Sequence, residues 1–473
     1  MIFNILSVLL LTFGSVYSYT EMAKLDQIKD LPGSNNLNIT FNHFSGYIPV
    51  GESKQIHYWF VESMNDPSND PVTFWTNGGP GCSGLIGFLT EQGPFKPDKE
   101  MNLELNPYAW NKVSNMVFVE IPAGVGFSYS DDKSDYKTGD AQTAEDNYHM
   151  IQGFFEKFPE YKKNDLYITS ESYGGHYMPT LAKYIVDENS KNNENSENNL
   201  NLKGFAVGNP YTNFYTGVPS GLATYWGHQL ISKPLWDDYS SLCLTLRKYF
   251  HLEECETLML KMYAERGKDI NPYALDYPVC VSDKKLAKGR AQRTWFMDYL
   301  TKEYSSNFKD IMKTDITTYE PCEDDYASSY LNLPEVKEAI HVNKDIEWEE
   351  CSHKVNYSIR DKESSMVEHY NYLIDGDYDL NILVYSGDDD SVCSTEGTQS
   401  WIWDLGYEPS RRNWETYTYD KQTAGYFTAW KNTKLGFLTI RGAGHEVPTY
   451  KPDIALDMFT KYLKGFWNFK SKN

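Results

Sequence analysis

Apolar residues along this chain fall into two alternating rhythms. Short, nearly unbroken apolar runs occur at Val72–Trp75, Met116–Glu120, Leu166–Thr169, Phe205–Val207, Ile382–Tyr385 and Phe437–Ile440. Runs this short, rich in Val, Ile, Phe and Tyr, read as strands buried on both faces, the environment of a parallel sheet. Between the earlier runs the spacing becomes helical, as over Thr143–Phe158 and Tyr177–Val186. The alternation predicts a mostly parallel central sheet flanked by helices. Two stretches break it. Residues from about 214 to 330 are aromatic, charged and cysteine-bearing without βα alternation, and are expected to form a cap inserted over the strand ends. Residues 187–201, DENSKNNENSENNLN, lack the means to bury a core and are expected to be a solvated loop.

Three strand ends carry the chemistry. Leu166–Pro179 reads LYITSESYGGHYMP, a strand that stops at Ser172 and passes into a helix. Small residues two before and two after, Ser170 and Gly174, suit a nucleophile elbow, where strand and helix nearly collide. Asn381–Cys393 (NILVYSGDDDSVC) and Leu435–Pro448 (LGFLTIRGAGHEVP) are strands that end in aspartates and in His445. Catalytic groups of open α/β sheets collect at that edge. The order Ser, Asp, His is that of the α/β-hydrolase triad and predicts an α/β-hydrolase fold. Spacing alone leaves Asp388, Asp389 and Asp390 equally eligible as the acid.

A chain of 473 residues with 40% hydrophobic content supports one large core. The expected division is a signal peptide over 1–18, a first core part over 19–213, the cap over 214–330 and a second core part over 331–473. No other stretch approaches the roughly 18 apolar residues of a membrane span. The expected route is the secretory pathway, ending outside the cell or in a lysosome or vacuole. The net charge of −22 argues against a nucleic-acid partner; it suits an acidic compartment and a merely soluble surface equally. Seven cysteines fit a disulfide-permissive compartment, and Asn38 and Asn356 begin glycosylation sequons. An H-x-x-E fragment, His251 to Glu254, has no evident third ligand, so no metal site is expected.

WTNGGPGCSG (75–84), EIPAGVGFSYS (120–130), ITSESYGGHYMP (168–179), VYSGDDD (384–390) and RGAGHEVP (441–448) closely resemble the serine carboxypeptidases. Ser170 replaces the family's usual Gly, Thr76 a usual Leu, and Gly84 a usual Ser. The resemblance implies release of C-terminal amino acids from peptides and proteins through an acyl-enzyme, without metal or organic cofactor, by a monomer or homodimer. It selects Asp390 as the acid beside Ser172 and His445, leaving Asp388 and Asp389 as turn or surface residues. It assigns the oxyanion hole to the amides of Gly79 and Tyr173. The grip on the terminal carboxylate falls to Asn77, Gly78, Glu91 and Glu171, and Glu446 faces the pocket of the leaving residue. Disulfides Cys82–Cys351, Cys243–Cys255 and Cys280–Cys322 follow from the same source, leaving Cys393 as a free thiol. An acyltransferase or esterase of the same fold, or a protective binding partner, are the alternative readings.

Overall fold

The computed structural model describes residues 19–192, 196–244, 252–267, 270–279, 323–376, 378–410 and 414–465. An 11-stranded sheet organises the chain. Its long strands are β1 (His43–Val50), β2 (Lys54–Val61), β3 (Val72–Thr76), β4 (Asn115–Val119) and β5 (Leu166–Glu171), followed by β6 (Leu202–Gly208), β7 (Asn381–Gly387), β8 (Glu415–Tyr419), β9 (Gln422–Ala429) and β10 (Leu435–Ile440). They lie in the order β1-β2-β4-β3-β5-β6-β7-β10-β9-β8, and the two-residue strand Tyr129–Ser130 pairs with β2. The six central strands, β4 to β10 in that order, are parallel. They are the six runs anticipated from the sequence.

The outer strands were not anticipated. Antiparallel β1 and β2 close one edge, and the β8–β9 hairpin closes the other. The β9 sequence QTAGYFTA mixes polar residues and glycine with its apolar ones, so it lacks the continuous apolar run of a central strand.

Side-chain alternation divides the core between the two faces of the sheet. Tyr58, Phe60, Val117 and Val119 enter one layer, whereas Trp59, Val61, Met116 and Phe118 enter the other. Helices α1 (Asp140–Lys157) and α2 (Gly174–Lys191) supply Phe154, Phe155, Leu181 and Ile185 to the first layer. The late helix Pro452–Leu463 covers the second, stacking Phe459 on Trp110 with ring centroids 4.0 Å apart. Each face is therefore sealed by apolar contact, which leaves the strand ends as the place for polar chemistry.

α2 runs to Lys191, so residues 187–191 of the polar tract are helical rather than loop. Polar composition does not bar a helix already nucleated by a buried N-terminal half, and the Lys183–Asp187 pair at 2.5 Å supports the turn. Asn189 then fixes the tract's far side, donating to Leu200 O at 2.8 Å and accepting from Leu200 N–H at 3.0 Å.

Within 214–279 the described residues form α3 (Phe214–Gly227) and the helices Lys233–Tyr239 and α4 (Glu253–Arg266). Disulfides join Cys243 to Cys255 and Cys82 to Cys351. Residues 1–18, His251, Cys280 and Cys322 lie outside the described residues. No described helix is long and apolar enough to cross a membrane. Asn38 and Asn356 are both exposed.

Candidate active site

β5 ends at Glu171 and α2 begins at Gly174, so the chain reverses within two residues. Ser172 takes the strain, with φ at 58°. An L-residue rarely adopts that conformation outside a constrained turn. Backbone bonds hold it from both sides: Ser172 N–H donates to Gly208 O at 3.0 Å, and Ser172 O accepts from Gly175 at 2.9 Å and Tyr211 at 2.7 Å. A Cβ on Gly174 would lie 2.1 Å from Ser170 Oγ, which explains the glycine there. Ser170 Oγ donates to Thr76 O at 2.6 Å and accepts from Thr76 Oγ1 at 3.2 Å. Two of the three departures from the family pattern, Ser170 and Thr76, thus satisfy each other on adjacent strands.

Asp390 follows β7 and His445 follows β10, and the parallel pairing of those strands brings the two loops together. His445 Nδ1 lies 2.7 Å from Asp390 Oδ2. Asp390 is fully buried and also accepts from the amides of Val392 at 2.7 Å and Cys393 at 3.1 Å and from Asn209 Nδ2 at 2.9 Å. Asn209 was missed by sequence reasoning. It is the residue after β6, with φ at 35°, and it accepts the Gly387 N–H at 2.9 Å. Its only signal was its place at a strand end, in GNP. Burial disfavours the His445 imidazolium, but the charge and hydrogen bond of Asp390, with Glu446 and Glu91, outweigh it and hold the imidazole above its usual range.

Ser172 and His445 line one cleft with Asn77, Gly78, Gly79, Glu171, Tyr273 and Glu446. The loop after β3 runs against the elbow so closely that a Cβ on Gly78 would lie 2.4 Å from Tyr173 N. Gly79 adopts φ 107° beside it. Tyr173 caps the N-terminus of α2, where the first amides have no intrahelical acceptor. The Gly78–Gly79 turn and the N-terminus of α2 therefore meet beside Ser172.

Asn77 occupies the centre of the carboxylate-rich end. Its Oδ1 accepts from Trp75 Nε1 at 2.7 Å and Gly87 N at 3.2 Å, which fixes its Nδ2 toward the acids. Nδ2 donates to Glu91 Oε1 at 3.0 Å and to Glu171 Oε1 at 2.8 Å. Both glutamates are buried, at 1% and 4% exposure. Two carboxyls in dry surroundings on one amide nitrogen cannot both ionise cheaply.

Glu446 is buried beside Tyr450, and Tyr273 packs its ring edge-on against His445 at 5.0 Å. Tyr273 also accepts the His445 N–H at 2.7 Å through its carbonyl. It was not anticipated, because nothing in its local sequence marks it. Cys393 is a buried free thiol, and burial together with the Asp390 charge pushes it well above the usual range. Asp388 is exposed, as expected, and accepts the Gly442 N–H at 2.7 Å. Asp389 is a turn residue but not a surface one. At 3% exposure it accepts the Asp276 N–H at 2.9 Å, because residues 271–277 cover the turn that the sequence alone left open to solvent.

Over residues 32–465 the chain matches the family described as serine carboxypeptidase. It is 38% identical over 464 residues to the mouse lysosomal protective protein, covering 93% of each chain. It is 35% identical to serine carboxypeptidase-like 25 of Arabidopsis thaliana, covering 94% of this chain and 92% of that one. Its fold matches the crystal structure of a prohormone-processing carboxypeptidase from Saccharomyces cerevisiae, with a TM-score of 0.75, 20% identity and coverage of 94% and 96%. A hydrolytic site at the ends of a parallel sheet and a family match across nearly all the described chain lead to one conclusion: this chain belongs to the serine carboxypeptidase family.

Proposed function

We propose that Ser172, His445 and Asp390 remove C-terminal residues from peptides by way of an acyl-enzyme. His445 takes the Ser172 proton as the hydroxyl attacks the scissile carbonyl, then returns a proton to the departing amino acid. Asp390 holds the imidazole tautomer and steadies the imidazolium. The amides of Gly79 and Tyr173 receive the oxyanion, a duty whose loss typically costs on the order of 10²–10³ in rate per donor. Water then attacks the acyl-enzyme with His445 again as base. The 2.7 Å His445–Asp390 bond beside a serine held at φ 58° carries this reading.

Asn77, the Gly78 amide, Glu91 and Glu171 recognise the free carboxylate of the substrate. The two acids share a proton in acid, so the pair donates to the substrate; once both ionise, they repel it. KM therefore rises as pH rises, and Glu171→Gln flattens that rise. Peptides with an amidated C-terminus lose at least tenfold in kcat/KM at pH 5 relative to the free acid. Equal rates for acid and amide, or an unchanged KM profile in Glu171→Gln, would remove the carboxylate grip from the account.

Glu446 places a carboxylate by the pocket of the departing residue, which favours C-terminal Lys or Arg over the preference of an apolar side chain. Comparing Arg- and Leu-terminated substrates in wild type and Glu446→Met measures it. The signal-like residues 1–18, the exposed sequons and the lysosomal relative support passage through the secretory pathway to an acidic compartment or the exterior. The enzyme acts there as a monomer or homodimer.

A further inference from the structure

Three ligating atoms converge behind the acid loop, outside the cleft. His228 Nδ1, at the C-terminal cap of α3, lies 3.8 Å from Asp276 Oδ1 and 3.9 Å from Asp389 Oδ1. All three atoms fall within 4.8 Å of one another. Asp389 Oδ1 is buried and, among the described residues, meets no hydrogen-bond donor, although its other oxygen accepts the Asp276 N–H. A carboxylate oxygen shut away from both water and donors costs on the order of 1–3 kcal/mol or more. The unsatisfied oxygen points at a ligand that is positive and small.

We infer that His228, Asp276 and Asp389 bind one divalent first-row transition ion, with zinc the favoured occupant and water completing its shell. One imidazole and two carboxylates form a donor set that suits zinc, whereas calcium and magnesium prefer oxygen alone. The spacing is slightly wider than the about 3.4 Å between tetrahedral ligands at zinc distances. The Asp276 side chain is 80% exposed and free to move inward, while Asp389 supplies the fixed point.

The ion takes no part in bond cleavage. It joins the end of α3, the covering segment and the loop that carries Asp390. That segment is already bonded there: Leu275 N–H donates to Asp389 O at 3.0 Å and Ser391 N–H to Pro272 O at 3.0 Å. Binding across the three segments fastens residues 271–277, and with them Tyr273, against His445. The ion is a clamp on the wall of the cleft.

The test is calorimetric titration of zinc into the chelator-stripped full chain at pH 7.5. Wild type takes up one zinc per chain that millimolar calcium does not displace, and zinc raises its thermal midpoint. His228→Gln and Asp276→Asn each weaken that uptake at least tenfold and abolish the zinc-dependent rise. Asp276→Asn alters an exposed side chain, so it decides the matter even if His228→Gln lowers the melting point in chelator. No stoichiometric uptake by wild type, or undiminished affinity in Asp276→Asn, overturns the site.

Discussion

Two buried histidine–aspartate pairs flank the same strained serine, and only one of them opens onto the cleft. His445 Nδ1 meets Asp390 at 2.7 Å, and His176 Nδ1 meets Asp140 at 2.9 Å. By type, distance and burial the pairs are nearly interchangeable. Their surroundings differ. His445 lines the cleft with Ser172, whereas His176 is fully buried, stacks on Tyr173 at 4.5 Å, and leaves Nε2 without a hydrogen-bond partner among the described residues. Asp140 also accepts from Tyr173 Oη at 3.0 Å and Tyr357 Oη at 2.7 Å. The second pair grips the ring of the residue whose amide we assign to the oxyanion. A bonded imidazole and carboxylate thus define no role by themselves; what the far ring nitrogen faces decides between moving a proton and holding a framework.

Substitution should separate the pairs most sharply. Ser172→Ala or His445→Ala is expected to lower kcat by on the order of 10⁶, and Asp390→Asn by about 10⁴, and Ser172→Ala, which leaves no buried charge unpaired, keeps its thermal midpoint near wild type. His176→Ala should do the reverse. Leaving Asp140 without its ring partner costs roughly 3–5 kcal/mol of stability, while kcat per folded molecule stays within about thirtyfold, a bound set by one weakened oxyanion donor. Melting curves beside active-site titration make the comparison.

pH sharpens it further. Burial raises Asp140, but the bonds from His176, Tyr357 and Tyr173 prevail, leaving its carboxyl below the usual range. A group depressed on folding lends stability above its unfolded value, near pH 4, and loses it as pH falls through the folded value. Asp140→Asn should therefore flatten the fall in stability below pH 4, as chemical denaturation at several pH values would reveal.

At the other pair the titrating group is the base. His445 is held above its usual 6.5, so the acid limb of kcat/KM should lie above that value in the free enzyme. Glu446 contributes to the rise, and Glu446→Gln should move that limb down by less than about one unit. An unmoved limb would remove Glu446 from the electrostatics of the base. The smallest effect expected is that of Cys393→Ser, within severalfold in kcat, because a thiol raised so far is not a thiolate at working pH.

The six parallel strands were legible because burial on both faces leaves one continuous apolar signature. The antiparallel edges β1, β2, β8 and β9 were not, since strands that mix polar and apolar positions resemble loops. The serine, aspartate and histidine segments could be read from strand-end position, whereas the selection of Asp390, Glu91 and Glu171 came only by resemblance. Asn209, Tyr273 and the second pair stayed invisible for a common reason. Each acts through contacts across long sequence separations, such as Asp140 to Tyr357, that no local pattern encodes. The burial of Asp389 was not legible for the same reason: its cover comes from residue 276, more than a hundred positions away.

The central claim is that His445, and not His176, makes Ser172 reactive. Labelling with a serine-directed fluorophosphonate, timed and mapped by mass spectrometry, tests it in wild type, His445→Ala and folded His176→Ala. The account predicts one adduct on Ser172, formed at comparable rates in wild type and His176→Ala and slowed by at least 10³ in His445→Ala. An adduct on another residue, or undiminished labelling of Ser172 without the His445 ring, would contradict it.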